Sequence, residues 1–453
     1  MNDTNLNINA SWETLDEGNP EECACFAALR IDWGETCLTE CYDPFDERIR
    51  TSPLLSGYHL AEWLAWNWWR LRWEPRTPAS DWPFSHNIAT VGAGYVWPNI
   101  TIFSDGQRIA LIAKPTQDVL TKGFRYISNV AAIVGATQFE AVIDDFIDKN
   151  INQLQKKGIF DTNLHKVWRD VHNERSDTEL SKRRKLEALF GVDPDEGDLS
   201  VIDQLISDSK FLGYEAIGEV AANYPRGGTL LTLDHIRDAA NSGIGFDISL
   251  SSSVNLERRS QLIGAAEIPA WRLGARVARS LREQEGLREN PITDATLAEL
   301  AGTQETIIKS VESCQDFSFI LSEKENQSGR IVFRSKWDTG RRFELARLLG
   351  DRLMTVSDEV LFPATRAYTF RQKMQRSFAA EFLAPFKAVI EQLGGDYSAE
   401  KRHEVASYFN VSDLTIDTVL VNHRVLDRDS LFDDFDPMDN SQDLSAEDIE
   451  NTL

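Results

Sequence analysis

A chain of 453 residues, 42% hydrophobic and 26% charged, has the length for two to four domains and the composition of an ordinary globular protein. Its formal net charge of −24 disfavours nucleic acid as a partner, because affinity for phosphate backbones rests on Lys and Arg. No run of about 18 apolar residues offers a membrane span, and the polar, acidic first twenty residues lack the pattern of a signal peptide. The expected location is the cytoplasm, with no membrane association.

Four cysteines come early, as Cys23, Cys25, Cys37 and Cys41 in the pattern C-x-C-x11-C-x3-C. Two pairs raise the question of structural zinc, but zinc knuckles favour C-x2-C or C-x4-C. The competing reading places Cys23 and Cys25 as small thiols on one strand face. Around Asp32-Trp33-Gly34 the pattern is that of strands joined by a turn.

Residues 54–75, LLSGYHLAEWLAWNWWRLRWEP, read as one helix capped by Ser56 and ended by Pro75. Its indoles occupy more than one face, as in a centrally buried helix. Among them lie His59, Glu62, Asn67 and Arg70, with Asp81 and His86 following. These are the candidate groups for an enzymatic site in the N-terminal region. The competing reading is a core helix whose few polar groups are satisfied internally.

NITIFSDGQRIALIA predicts a hairpin with Asp105-Gly106 at its tip. Gly92-Ala93-Gly94 is too short for a nucleotide loop and reads as a turn. FRYISNVAAIVGAT predicts a strand, and residues 137–158 an amphipathic helix. From 160 to about 302 the periodicity is helical. The basic run Lys182-Arg183-Arg184-Lys185 reads as the solvated face of a helix.

DFSFILSEK and GRIVFRS predict short strands within 305–340. Helices follow at 341–353 and 364–395, and two short ones over 398–426. From Asp427 onward ten acids face one base, Arg428, so the tail is expected to be disordered. Its Leu431, Phe432 and Phe435 offer a partner something apolar. The fold class is therefore α+β, mainly helical: an N-terminal α+β domain over 1–136, a helical region over 137–303, a C-terminal domain over 304–426, and the acidic tail 427–453.

The runs GRIVFRSKWDTGRRFELARLLGDRL, RQKMQRSFAAEFLAPFKAV and ASYFNVSDLTIDTVLVNHRVL, with PAWRLGARVARSLREQEGLRENPITDATLAELAG upstream, resemble the ImmA/IrrE metallopeptidase family over about residues 265–426. The resemblance implies a zincin-like domain. Family members carry H-E-x-x-H on a helix: two histidines at i and i+4 bind zinc, and the glutamate is the general base. A third ligand, usually glutamate, lies six positions before the phenylalanine of F-A-A. Here the framework agrees at Arg342-Phe343, Leu345-Ala346, Leu349-Gly350, Phe378-Ala379-Ala380 and Ala384-Pro385. The chemistry departs. The histidine positions hold Arg347 and Asp351, the base position holds Leu348, and the third-ligand position holds Gln372.

The resemblance with those substitutions implies a catalytically inactive pseudopeptidase: a regulatory, sensing or scaffold protein with a protein partner and no cofactor. The setting implied is phage defence or mobile-element regulation. The alternative is an enzyme sited in the Trp-rich N-terminal region. In place of a metal, a polar cluster is expected, with Asp351 accepting from Arg347, Arg376 or both, Gln372 completing it, and Leu348 turned into the core.

Overall fold

A computed structural model describes residues 5–116, 124–226, 229–251, 253–257, 262, 268–309, 315–323, 327–355 and 359–426. The acidic tail beyond 426 lies outside the described residues. The fold is mixed α+β, as expected. The chain divides into two compact units, Met1–Ile202 and Asp203–Leu453. The division falls inside the stretch read as a helical region. Among the described residues, no helix is long and apolar enough to cross a membrane.

In the first unit, β1 (Leu6–Trp12) pairs antiparallel with β2 (Phe26–Trp33), and the short helix α1 (Pro20–Ala24) lies between them in the chain. Strand alternation puts Leu6 and Ile8 on the same buried side as Ala27, Leu29 and Ile31. Strand β3 (Thr36–Cys37) extends β2 on one side. β4 (Cys41–Asp43), β5 (Arg48–Arg50) and the later β9 (Arg125–Tyr126) form a small sheet of their own. β6 (Leu54–Ser56) returns to β2.

The single helix expected over 54–75 is instead β6 followed by α2 (Gly57–Trp66) and α3 (Trp68–Trp73). Ser56 does cap α2, accepting from the His59 amide at 3.4 Å. Asn67 causes the break. It is the C-cap of α2, and its amide donates to the Trp63 carbonyl at 2.8 Å, occupying an acceptor of the last turn. Cys23 and Cys25 are likewise not on a strand. Cys23 lies in α1 and Cys25 ends it.

The helix α4 (Trp82–His86) precedes the expected hairpin, β7 (Ile100–Ser104) and β8 (Arg108–Ala113), which is completed by β10 (Val130–Gly135). Asp105 accepts from the amides of Gln107 and Arg108, and Gly106 takes a φ of 97°, which suits glycine. The amphipathic helix α5 (Ala136–Lys156) buries Phe139, Ile143, Phe146, Ile147 and Leu154 against β1 and α2. Then come α6 (Asn163–Ser176) and α7 (Thr178–Phe190). Thr162 and Asp177 cap them by accepting first-turn amides.

Helix α8 (Leu199–Leu212) spans the division. The second unit continues with α9 (Tyr214–Asn223) and α10 (Leu233–Asn241). It then has β11 (Phe246–Ser249), a strand the helical reading missed. β12 (Ser318–Glu323) and β13 (Ser328–Val332) are the expected pair. With β14 (Leu361–Ala364) they make an antiparallel sheet in the order β11-β13-β12-β14. Between β11 and β12 run α11 (Ala270–Gln284) and α12 (Asp294–Ala301). Helix α13 (Asp338–Met354) follows β13. The single helix expected over 364–395 is two, α14 (Phe370–Leu383) and α15 (Phe386–Leu393). Pro385 separates them, holding Ala384 out of the helical region at φ −135° and ψ 83°. Helices α16 (Ala399–Phe409) and α17 (Asp413–Asn422) close the unit.

Helix α14 is the axis of this core. Both α11 and α13 press on it through glycines. A Cβ on Gly274 would lie 2.3 Å from the Met374 carbonyl, and one on Gly350 would lie 2.4 Å from the Phe378 ring. Gly350→Ala and Gly274→Ala should each destabilise this unit by about 1–3 kcal/mol through overpacking. Gly274 should cost more, since its obstacle is backbone. Chemical denaturation checks this; unchanged midpoints in both variants would show that the helices separate freely.

Candidate functional site

The helix α13 is buried nearly all round. Along it sit Arg341, Arg342, Glu344, Arg347 and Asp351, all buried, among Leu345, Leu348 and Leu349. Charged groups in such surroundings must find partners. Arg341 donates to the carbonyls of Ser335 and Ile307. Arg342 donates to the Ile292 carbonyl and pairs with Asp294. Glu344 accepts from Ser318, the Ser335 amide and Arg334.

The seam with α14 holds the rest. Asp351 is fully buried, and Arg371 grips it with two bonds of 2.8 Å, Nε to Oδ1 and Nη2 to Oδ2. The remaining terminal nitrogen of Arg371 donates to Glu359 at 2.8 Å. Burial would lower the Arg371 pKa, but the charge of Asp351 outweighs it and holds it above the usual arginine range. The other oxygen of Glu359 accepts the Ala216 amide in the first turn of α9 at 3.2 Å. Four residues along α9 from Ala216's neighbour Glu215, Glu219 accepts from Thr369, the N-cap of α14, at 2.6 Å.

The expectation that Asp351 accepts from Arg347 or Arg376 is therefore corrected: its partner is Arg371. Helix geometry explains the miss. Arg347 and Asp351 share a helix, but Arg347 is turned toward Gln372 and the Thr365 carbonyl, and Arg371 across the seam reaches Asp351 with a bidentate fork. Arg347 instead meets Gln372, whose Oε1 accepts at 2.6 Å, together with Gln375 at 3.4 Å and the Thr365 carbonyl at 2.7 Å. Burial first, then the charge of Arg376, pushes its pKa down to about 9. Arg376 turns to the Ala367 carbonyl at 2.7 Å. Leu348 is wholly buried in the core, as expected. Gln372 and Gln375 each donate to the Pro363 carbonyl at 3.0 Å, so side chains from α14 occupy a backbone acceptor of the sheet's last strand.

In the first unit, the structure joins two of the N-terminal candidates through a residue the sequence reading missed. Glu74 accepts from Arg70 at 2.6 Å and meets His86 Nε2 at 2.9 Å, while His86 Nδ1 donates to the Ile102 carbonyl at 2.7 Å. Burial would raise the Glu74 pKa, but His86 and Arg70 together hold it below the ordinary carboxylate range. Arg70 also donates to Ser85, and Trp82 stacks on His86 with centroids 4.1 Å apart. His86 and Glu74 are essentially inaccessible, at 0% and 1% exposure. The signal for Glu74 was its place four residues after Arg70. His59, Glu62 and Asn67 stay apart from this group. His59 lies edge-on to Tyr58, Glu62 accepts from Tyr58 and Asn163, and Asn67 closes α2. Asp81 is exposed.

Cys23, Cys25, Cys37 and Cys41 are free thiols. Those of Cys25, Cys37 and Cys41 donate to the carbonyls of Asn150, Thr51 and Arg50. Burial pushes Cys25 up to about 12 and Cys41 up to about 11, the opposite of what a thiolate ligand needs. Among the described residues no group of three or more His, Cys, Asp or Glu is placed to hold a metal ion. The basic run 182–185 is not an exposed basic face. Arg184 is buried among Glu174, Glu187 and Asp195, Arg183 pairs with Glu187, and Lys182 with Glu179.

No family model, no curated protein and no solved structure matches the chain.

Glu219 gives the seam a pH signature. Burial raises its pKa from 4.5 to about 7, against the pull of Arg371. Between those values the unfolded chain releases a proton that the folded one keeps. Stability fully present below about pH 4.5 should therefore fall as pH rises through about 7, by about 3 kcal/mol. Glu219→Gln should remove that slope. Denaturation midpoints measured across this range check it; a slope that survives in the variant would place its origin elsewhere.

Proposed function

We propose that residues 265–426 form a catalytically inactive relative of the ImmA/IrrE metallopeptidases, with a zincin-like fold. On this reading the protein acts as a regulatory, sensing or scaffold component through a protein partner. The setting that such a relationship implies is phage defence or mobile-element regulation.

The observation that carries this reading is the meeting of positions 347 and 372 at 2.6 Å across the α13–α14 seam. The resemblance assigns those two positions to the first and third ligands of a lost zinc site. Support also comes from what stands there. Asp351 is neutralised by Arg371, Leu348 is packed in the core, and Arg347 is a cation with no lone pair to give. A guanidinium has taken the place of a divalent cation between the helices.

The runner-up, an enzyme in the Trp-rich N-terminal region, draws on the Arg70–Glu74–His86 group. That group is sealed from solvent and internally satisfied, which fits a structural network better than a substrate site.

Metal analysis tests the proposal. The protein should purify without stoichiometric zinc and cleave no peptide when zinc is added. Restoring the family ligands and base with Arg347→His, Leu348→Glu, Asp351→His and Gln372→Glu, plus Arg371→Leu to remove the competing cation, should create a site for one zinc per chain. Zinc bound by the unaltered protein at 347, 351 and 372 would refute the inactive reading. A restored variant with native circular dichroism and no affinity for zinc would refute the relationship.

A further inference from the structure

The sheet of β10, β8 and β7 in the first unit closes one of its edges and leaves the other open. At the outer edge of β7 the Ser104 amide donates to the Glu74 carbonyl at 3.4 Å. Beside it, the Ile102 carbonyl accepts from His86 Nδ1 at 2.7 Å, and Asn87 bridges to Thr101. The other edge is β10. The Ala136 amide, just past β10, donates to the Gln107 carbonyl, so the even-numbered residues of the strand bond to β8 and the odd-numbered ones face away. Ala131 and Ile133 thus turn both backbone groups, and Gly135 its amide, to the outer side, where they meet no partner among the described residues. Ala131 is exposed, and Ile133 and Gly135 are partly exposed.

Folded proteins protect such an edge with charge, proline or a bulge. From Asn129 to Gln138 the chain has no charged residue and no proline, and β10 pairs with β8 without a bulge from Val130 to Gly135. The outer face of the sheet is apolar as well. Register aligns Ile133 with Ala110 and Phe103, and Ala131 with Ile112 and Thr101, and none of these six is buried. Trp82 lies against the Phe103 end, with ring centroids 6.1 Å apart, so the first row is closed at β7 and continues to the open edge at β10.

We propose that β10 docks on β10 of a second copy of this chain, the two strands pairing antiparallel across a twofold axis at Ile133. Ile133 then exchanges both of its backbone bonds with its counterpart, and each Gly135 amide meets the carbonyl of the other copy's Ala131. The apolar row Phe103–Ala110–Ile133 continues into the same row of the second copy, reversed. Two features favour a second copy over a flexible peptide. A peptide must first be ordered into a strand, at about 1–2 kcal/mol per residue, for the few bonds this short edge offers, whereas the second copy's strand is already formed. The edge is also neutral in a chain of net charge −24, so two such chains meet there with least repulsion. The proposal concerns the first unit and stands whether or not the family relationship of the second holds.

Sedimentation of the full chain from micromolar to millimolar concentration tests it. A reversible monomer–dimer equilibrium is expected, and it should tighten as added salt screens the acidic surfaces. Ile133→Pro removes an amide from the open edge and leaves every bond to β8 in place. It should weaken dimerisation about tenfold or more with native circular dichroism. Ile133→Glu sets like charges opposite each other at the axis and should weaken it as well. Should Ile133→Pro fail to fold, Ile133→Glu decides. A wild-type chain that stays monomeric throughout would overturn the proposal and leave a strand of another protein as the occupant. A dimer of unchanged affinity in the folded variants would overturn it too, placing the interface elsewhere.

Discussion

A carboxylate with no exposure to water has to be neutralised where it stands, and in the second unit that carboxylate is Asp351. Arg371 does this with a two-bond fork and then reaches Glu359, which in turn holds the start of α9. One guanidinium thus joins α13, α14, the lead into β14 and α9. Glu219 lies close enough to feel both Arg371 and Asp351. Burial raises the pKa of Glu219, and Asp351 adds to it, against the pull of Arg371. The tight contact at Gly350 serves the same end, bringing α13 close against α14 at the seam these side chains span.

Around this centre, arginine is used as a carbonyl clamp. Arg282, Arg330, Arg341 and Arg352 each collect backbone oxygens from segments that lack regular partners. Every buried carbonyl needs a donor, and irregular backbone supplies few. A guanidinium offers five donors in one plane and sheds water more readily than an ammonium. Burial lowers the pKa of Arg282 and Arg352 to about 10, so the charge is retained near neutral pH. Arg330, for instance, holds the Ala240 and Gly245 carbonyls that bring the chain into β11.

Local chemistry was legible in the sequence, and tertiary choices were not. Asp105-Gly106 specified its hairpin, and Ser56 its helix start, because those signals act within four residues. Phe139, Ile143 and Leu154 gave α5 by period. Pro385 also carried the right signal, but the apolar periodicity on either side of it masked the break. β11 is short, and its pairing partner lies some eighty residues on, so nothing local announces it. At the seam, the expectation carried over from the resemblance held for Arg347 beside Gln372 and for Leu348 in the core. It failed for Asp351, since the choice between Arg371 and Arg376 depends on how α13 and α14 are rotated against each other. In the first unit, Glu74 escaped notice because its link to His86 passes through the fold, although its link to Arg70 is one helical turn.

The claim on which the second unit rests is that Asp351 and Arg371 act as one element, a buried ion pair joining the two helices. A double-mutant cycle measures this directly, with Asp351→Asn, Arg371→Met and the two together followed by denaturant unfolding. Each single change should cost about 3–5 kcal/mol, because it strands the partner's charge in the interior, and the double variant should cost far less than their sum. Additive costs, or a single variant as stable as the native protein, would mean that the helices are held by apolar packing alone.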